Sequence, residues 1–228
     1  VFLAKIGGEK RFGGLSAIVV DEWHDLLGNK RGVQVELAIA QLKALSPSMR
    51  VWGISATIGN LDEAMETLVG LDRLKDARII RSAIEKRIAV DSLMPEAFEK
   101  LPWSGHLGVQ LLDQVVDIIR GHASTLVFTN TRSQSEIWYQ KILAANPDLA
   151  GAIALHHGSI SKELRFWVED ALYDGRLKAV VCTSSLDLGV DFRPVEAIVQ
   201  IGGTKGVARF VQRAGRSGHP PGAESKIQ

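Results

Sequence analysis

Residues 207–219 read Val-Ala-Arg-Phe-Val-Gln-Arg-Ala-Gly-Arg-Ser-Gly-His. Lys205, Arg209 and Arg213 recur every four residues, and Arg216 follows three later. On a helix that spacing sets all four cations on one face. Like charges repel there, and no acidic residue stands between Glu196 and Glu224 to relieve them. An external anion is therefore expected. Phosphate suits the stripe, because a guanidinium fork matches its oxygens in pairs. An arginine aimed at a γ-phosphate stabilises the charge that develops in phosphoryl transfer.

A second constellation is Asp21-Glu22-Trp23-His24, directly after the apolar run Leu15 to Val20. In open parallel sheets ligands sit beyond the carboxyl ends of strands. Two adjacent carboxylates there divide labour. Asp21 can hold Mg²⁺ on nucleotide phosphates. Glu22 can orient and deprotonate an attacking water. Ser55-Ala56-Thr57 ends the next apolar run on the same sheet edge, and the hydroxyls of Ser55 and Thr57 can bond to the acidic loop and relay its state.

Further polar clusters follow later runs. Thr129-Asn130-Thr131-Arg132 offers hydroxyls, an amide and free N–H groups to a phosphate backbone. His156-His157-Gly158 admits a nucleic-acid backbone contact, made by His157 and Gly158, an interlobe contact, or a purely structural role. Metal ligation is disfavoured there because few partners lie nearby. In Thr183 to Asp191, Thr183 and Ser184 can contact a phosphate chain, Gly189 permits a tight backbone and Asp191 can accept from a ribose hydroxyl.

The elements that must position these groups alternate short apolar runs with amphipathic segments, the pattern of parallel-sheet α/β units. Strands are predicted at 15–20, 50–55, 78–81, 87–90, 125–129, 151–155, 177–183 and 195–201. Capping boxes are read at Asn60 to Glu63 and Ser133 to Glu136. Pro95, Pro102 and Gly105 interrupt the periodicity, so residues 91–106 are read as a linker between a first lobe, 1–90, and a second, 107–228, set around a cleft. Val1 and Gln228 do not read as natural termini, so a longer protein is expected.

Bulk composition bounds the rest. The 228 residues carry a net charge of +1, so a nucleic-acid partner would be held by local patches rather than by overall charge. A single cysteine, Cys182, excludes an internal disulfide and fits a reducing cytosol. No leader pattern and no apolar run near ~18 residues occurs, so no membrane partner is expected.

In order, these residues resemble the motifs of superfamily 2 helicases. Asp21 to His24 is similar to motif II of the DExH type, Ser55 to Thr57 to motif III, Val127 to Arg132 to motif IV, Thr183 to Asp191 to motif V, and Gln212 to His219 to motif VI. Trp23 to Gly32 resembles the Lhr (large helicase-related) type, and Pro102 to Gly108 is similar to the linker of its ligase-associated DNA-damage branch. The resemblance implies an α/β fold of two RecA-like lobes with parallel sheets, the first incomplete. It implies ATP and Mg²⁺ as cofactors, with Gln212 beside the nucleotide. It also implies an ATP-dependent 3′-to-5′ DNA translocase of the bacterial cytosol, acting in repair on single-stranded DNA or a 3′ tail, with repair ligases or nucleases as partners. RNA and an inert nucleic-acid-binding module remain alternatives. Two departures stand out. No Gly-Lys dipeptide occurs, so the Gly-Lys-Thr phosphate loop is missing and the fragment alone is expected to be inactive. His219 replaces the last arginine of the common motif VI pattern, which leaves the finger role implied by the resemblance to Arg216 or Arg213, with Arg216 favoured.

Overall fold

The computed structural model describes residues 12–55, 58–82, 87–94, 109–187, 195–204, 206–217 and 225–228. The chain divides into two compact units, Val1–Ser82 and Ala83–Gln228. Thr57, Gly189, Asp191, Lys205, His219 and most of the expected linker lie outside the described residues.

The first unit holds two parallel strands, β1 (Ala17–Val20) and β2 (Arg50–Gly53), with Val20 opposite Gly53. Three helices accompany them: a single turn α1 (Trp23–Leu26), α2 (Lys30–Leu45) and α3 (Leu61–Val69). Asn29 caps α2 by accepting from the N–H groups of Arg31 and Gly32. Asn60 caps α3 as predicted: its side chain accepts from Glu63 N–H at 3.3 Å, and Glu63 Oε2 accepts at 2.9 Å from the Asn60 side-chain amide rather than from its main-chain N–H. Gly70 ends that helix at φ 79°.

One face of this sheet is packed. Val20, Trp23, Ile39, Ala64 and Leu68 form a buried cluster, with Ile18 and Val51 against it. Strand alternation sends Val19, Trp52 and Ile54 to the opposite side, where each is more than half exposed. The stretch expected as a strand at 78–81 is not one. It has no ladder partner, and Ile80 is 94% exposed.

The second unit is a six-stranded, all-parallel sheet. Its strands are β3 (Ile88–Val90), β4 (Thr125–Phe128), β5 (Ile153–His156), β6 (Ala179–Cys182), β7 (Ala197–Gln200) and β8 (Ser225–Ile227). Their order is β3-β8-β7-β4-β6-β5. Helices α4 (Leu112–Gly121), α5 (Arg132–Ala145), α6 (Lys162–Tyr173) and α7 (Val207–Ala214) complete it. The expected first-lobe strand at 87–90 thus joins the other unit: residues 88–90 pair with β8, whose outer edge accepts them. The two compact units divide after Ser82, ahead of this strand.

Central β4 shows why its sequence is apolar after Thr125. Flanked by β6 and β7, all four of its residues are buried. Alternation directs Leu126 and Phe128 towards Val168, Ala171 and Leu172 of α6 and Ala214 of α7. It directs Val127 towards Val115 and Ile119 of α4 and Trp138 and Ile142 of α5. Helices therefore cover both faces, as parallel sheets require. Cys182 is wholly buried in β6, and burial pushes its thiol well above the ordinary value, so it serves as core. No helix among the described residues is long and apolar enough to cross a membrane.

Candidate functional site

In the first unit the chemistry sits where β1 ends. Asp21 is exposed, and its Oδ1 accepts from the Glu22 N–H at 2.9 Å. Glu22 adopts φ 50°, ψ 43°, the left-handed region. Among the described residues it is the single non-glycine with positive φ. Such a conformation costs about 1–3 kcal/mol and persists only where neighbours over-determine it. Those neighbours are visible. Trp23 N–H donates to Ile54 O at 3.0 Å, and its buried indole donates to Ala64 O at 3.1 Å. The chain is pinned just past Glu22, and the strain falls on the carboxylate-bearing residue.

His24 Nδ1 lies 2.8 Å from Ser55 Oγ and 3.5 Å from Glu22 Oε2. A carboxylate only accepts, so its presence favours the proton on Nδ1, with Ser55 Oγ accepting it. The ends of β1 and β2 are thereby joined through side chains. Asp21 offers the lone exposed carboxylate that Mg²⁺ takes from a protein when phosphate oxygens and water supply its other ligands. Among the described residues no three acidic, histidine or cysteine side chains converge as a metal site. A cavity of about 920 Å³ in this unit is lined by Trp23, Trp52, Ile54, Ser55 and Ile79 but by neither Asp21 nor Glu22.

In the second unit the arginine stripe differs from its sequence reading. The helix is Val207–Ala214, so Arg216 lies beyond its end. The missing counter-charge is internal. Asp187, 4% exposed, accepts from Arg213 Nε at 2.7 Å and Nη2 at 3.2 Å, and Arg209 Nε stands 3.3 Å from its Oδ2. Arg213 Nη1 donates to Gln200 Oε1 at 2.6 Å, and the guanidinium covers the Phe128 ring at 4.5 Å. Arg213 is itself 2% exposed. Each of its three nitrogens donates inside the fold, where the expectation was a side chain facing a ligand. Arg216 is half-buried and donates from Nη2 to the main-chain oxygen of Asp187 at 2.8 Å. Gln212 is half-buried on α7.

The turns after β4, β5 and β6 share one sheet edge, because these strands are parallel neighbours. Asn130, Arg132, Gly158 and Ser184 are exposed there, and Thr183 is half-buried. Thr129 and His157 are not available. The Thr129 hydroxyl is buried, 3.1 Å from Thr131 O and 3.2 Å from Cys182 O. His157 is buried, with Nδ1 accepting from Ser159 N–H at 3.3 Å and Nε2 3.4 Å from Glu136 Oε1. Arg132 Nε donates to Glu136 Oε1 at 2.8 Å and holds that carboxyl below its ordinary value, with His157 pulling the same way. The α5 cap is Thr131, accepting from Gln134 N–H at 3.2 Å, rather than Ser133. Asn130 Nδ2 donates to Gly203 O at 2.8 Å and ties this turn to the one after β7.

Residues 109–220 match the helicase conserved C-terminal domain. Over 92% of its length the chain is 35% identical to an ATP-dependent helicase Lhr-Core of Methanothermobacter thermautotrophicus. The chain belongs to the Lhr-type helicases of superfamily 2. A Lhr-Core helicase of Methanocaldococcus jannaschii is 36% identical over 93% of the chain. This Lhr-type chain spans about a quarter of the length of both relatives (25% and 24%). It also superimposes on helicase Lhr of Mycobacterium smegmatis bound to single-stranded DNA and AMP-PNP. That match has a TM-score of 0.82 and 30% identity, and covers 99% of this chain and 30% of the other. The parallel α/β architecture is therefore that of RecA-like helicase lobes.

Sequence reasoning gave no role to Asp187 or Gln200 of this Lhr-type site. Asp187 stood inside the Thr183 to Asp191 string, four residues after Thr183. The spacing of the stripe shows only its own segment, whereas the sheet brings the counter-charge from the end of β6, two strands away from β7.

Proposed function

We propose that this chain is part of an ATP-dependent DNA helicase that couples hydrolysis of Mg-ATP to movement along a single strand. The observation that carries the reading is the Asp21-Glu22 pair, presented on a strained turn at a strand's carboxyl end. The 99% overlap with an Lhr bound to DNA and a nucleotide analogue supports it. Asp21 holds the Mg²⁺, which neutralises phosphate charge when bound. Glu22 orients and deprotonates the attacking water. Arg216 acts as the finger that stabilises γ-phosphate charge, with Gln212, Gly189 and Asp191 about the nucleotide. Arg213 positions rather than touches. His24, Ser55 and Thr57 couple the acidic loop to its neighbour strand. Asn130, Arg132, Gly158, Thr183 and Ser184 grip phosphates of the strand. The 3′-to-5′ direction and the repair setting rest on the resemblance of motifs.

An inert binding module is the second reading, favoured by the absence of a Gly-Lys dipeptide in these residues. Steady-state ATP hydrolysis by the intact protein, with single-stranded DNA or RNA added, separates the two. Stimulation by DNA supports the helicase; stimulation by RNA alone redirects it to RNA. No turnover with either supports the module.

A further inference from the structure

His156 belongs to none of the roles above, yet it is 1% exposed and touches three groups. Its Nδ1 lies 2.7 Å from Ser185 Oγ, and its Nε2 lies 3.0 Å from Glu169 Oε1 of α6. Ser185 Oγ is also 3.0 Å from the main-chain oxygen of His156, which accepts from Thr183 N–H at 3.3 Å. Residues 184–186 form the single 3₁₀ turn that ends at Asp187. One imidazole therefore stands behind the turn that carries Thr183, Ser184 and Asp187.

Proton counting gives this cluster two states. Glu169 only accepts, so Nε2 bears a proton in both. With the ring neutral, Nδ1 has a lone pair and takes the Ser185 hydroxyl proton. Three contacts then share two protons, and the contact from Ser185 Oγ to the His156 carbonyl has none. With the ring charged, Nδ1–H donates to Ser185 Oγ, and the hydroxyl proton turns to the carbonyl. All three contacts are then hydrogen bonds.

We propose that His156 is the positioning residue of the 183–187 turn, and that its protonation turns the Ser185 hydroxyl from imidazole to carbonyl and tightens the turn. The functional meaning rests on the reading that this turn grips nucleic-acid phosphates. Burial lowers the imidazole's affinity for a proton, and Glu169 opposes that. Arg165 of α6 and the adjacent His157 disfavour the charge as well. Cys182, its register partner on β6, stays a neutral thiol. The neutral state is thus the resting one at neutral pH, and acidification tightens the turn.

The test follows the His156 ring carbon by NMR and amide exchange of residues 183–187, corrected for intrinsic rates, from pH 8 to 5. In wild type, protection rises on the order of three- to tenfold as the ring titrates, the scale of one net hydrogen bond. His156→Asn, which keeps an acceptor near the Nδ1 position, retains protection but loses the step. Glu169→Gln moves the step to lower pH. His156→Ala lowers protection at every pH. Protection that ignores the titration, or that is unchanged in His156→Ala, overturns the proposal. Affinity for a fluorescent oligothymidylate is measured in parallel. Protection that follows the ring while affinity stays flat leaves the positioning role standing and removes the turn from the nucleic-acid site.

Discussion

Arg213 and Asp187 form a bidentate ion pair, 2.7 and 3.2 Å long, in which both residues are at most 4% exposed. The pair joins the turn after β6 to helix α7, and the same aspartate offers its main-chain oxygen to Arg216. Breaking a buried pair by removing one partner strands the other charge. Asp187→Ala is therefore expected to destabilise the second unit by about 3–5 kcal/mol, measured by urea unfolding. Adding Arg213→Met should recover much of that loss. If the single and double variants unfold alike, the pair is not what holds the turn.

Arg216 is the arginine assigned to the γ-phosphate. Arg216→Ala in the intact protein is expected to lower the rate of ATP turnover on the order of 10³-fold, the scale of other arginine fingers. Thermal melting should move little, because Arg216 is only half-buried. A rate within a few-fold of wild type removes Arg216 from the role.

Glu22 sits in a backbone region that glycine adopts without penalty. Glu22→Gly is expected to raise stability by about 1 kcal/mol while abolishing hydrolysis. Urea midpoint and turnover measured on one preparation decide it. A destabilised Glu22→Gly shows that the side chain's contacts outweigh the strain.

Stability should depend on pH through His156. Its folded value is lowered, and the unfolded imidazole titrates near 6.5. As pH falls the unfolded chain takes the proton first, so this contribution is fully present above about 6.5 and declines below it. Urea midpoints between pH 7.5 and 5 should therefore fall, and His156→Asn should flatten the decline. A midpoint that rises on acidification contradicts the sign.

Binding to single-stranded DNA should weaken steeply with salt, with a log–log slope of about −0.7 per phosphate contacted. Arg132→Ala is expected to reduce that slope by roughly one contact's worth. A flat salt response assigns these turns to structure alone.

Much of this was legible in the sequence. Apolar runs such as Leu126 to Phe128 announced strands buried on both faces, and Asn60 to Glu63 announced a helix start. Local patterns fail where a partner decides. Ile79 and Ile80 have strand-like composition but no strand to pair with among the described residues, and Ile88 to Val90 follows the edge of β8 instead. The site shows the same limit. Spacing placed Arg209 and Arg213 on one face, but only the sheet brings Asp187 between them. Thr129 and His157 have phosphate-binding chemistry by type, yet their side chains face inward. Nothing in the residue order distinguishes them from exposed Asn130 and Gly158.

The central claim is that Glu22 activates the water that cleaves ATP. The most direct measurement is single-turnover hydrolysis by the intact protein, wild type against Glu22→Gln, with nucleotide binding monitored separately. The account predicts unchanged nucleotide affinity with cleavage slowed on the order of 10²- to 10⁴-fold, the usual contribution of a general base. Cleavage by Glu22→Gln at the wild-type rate contradicts it.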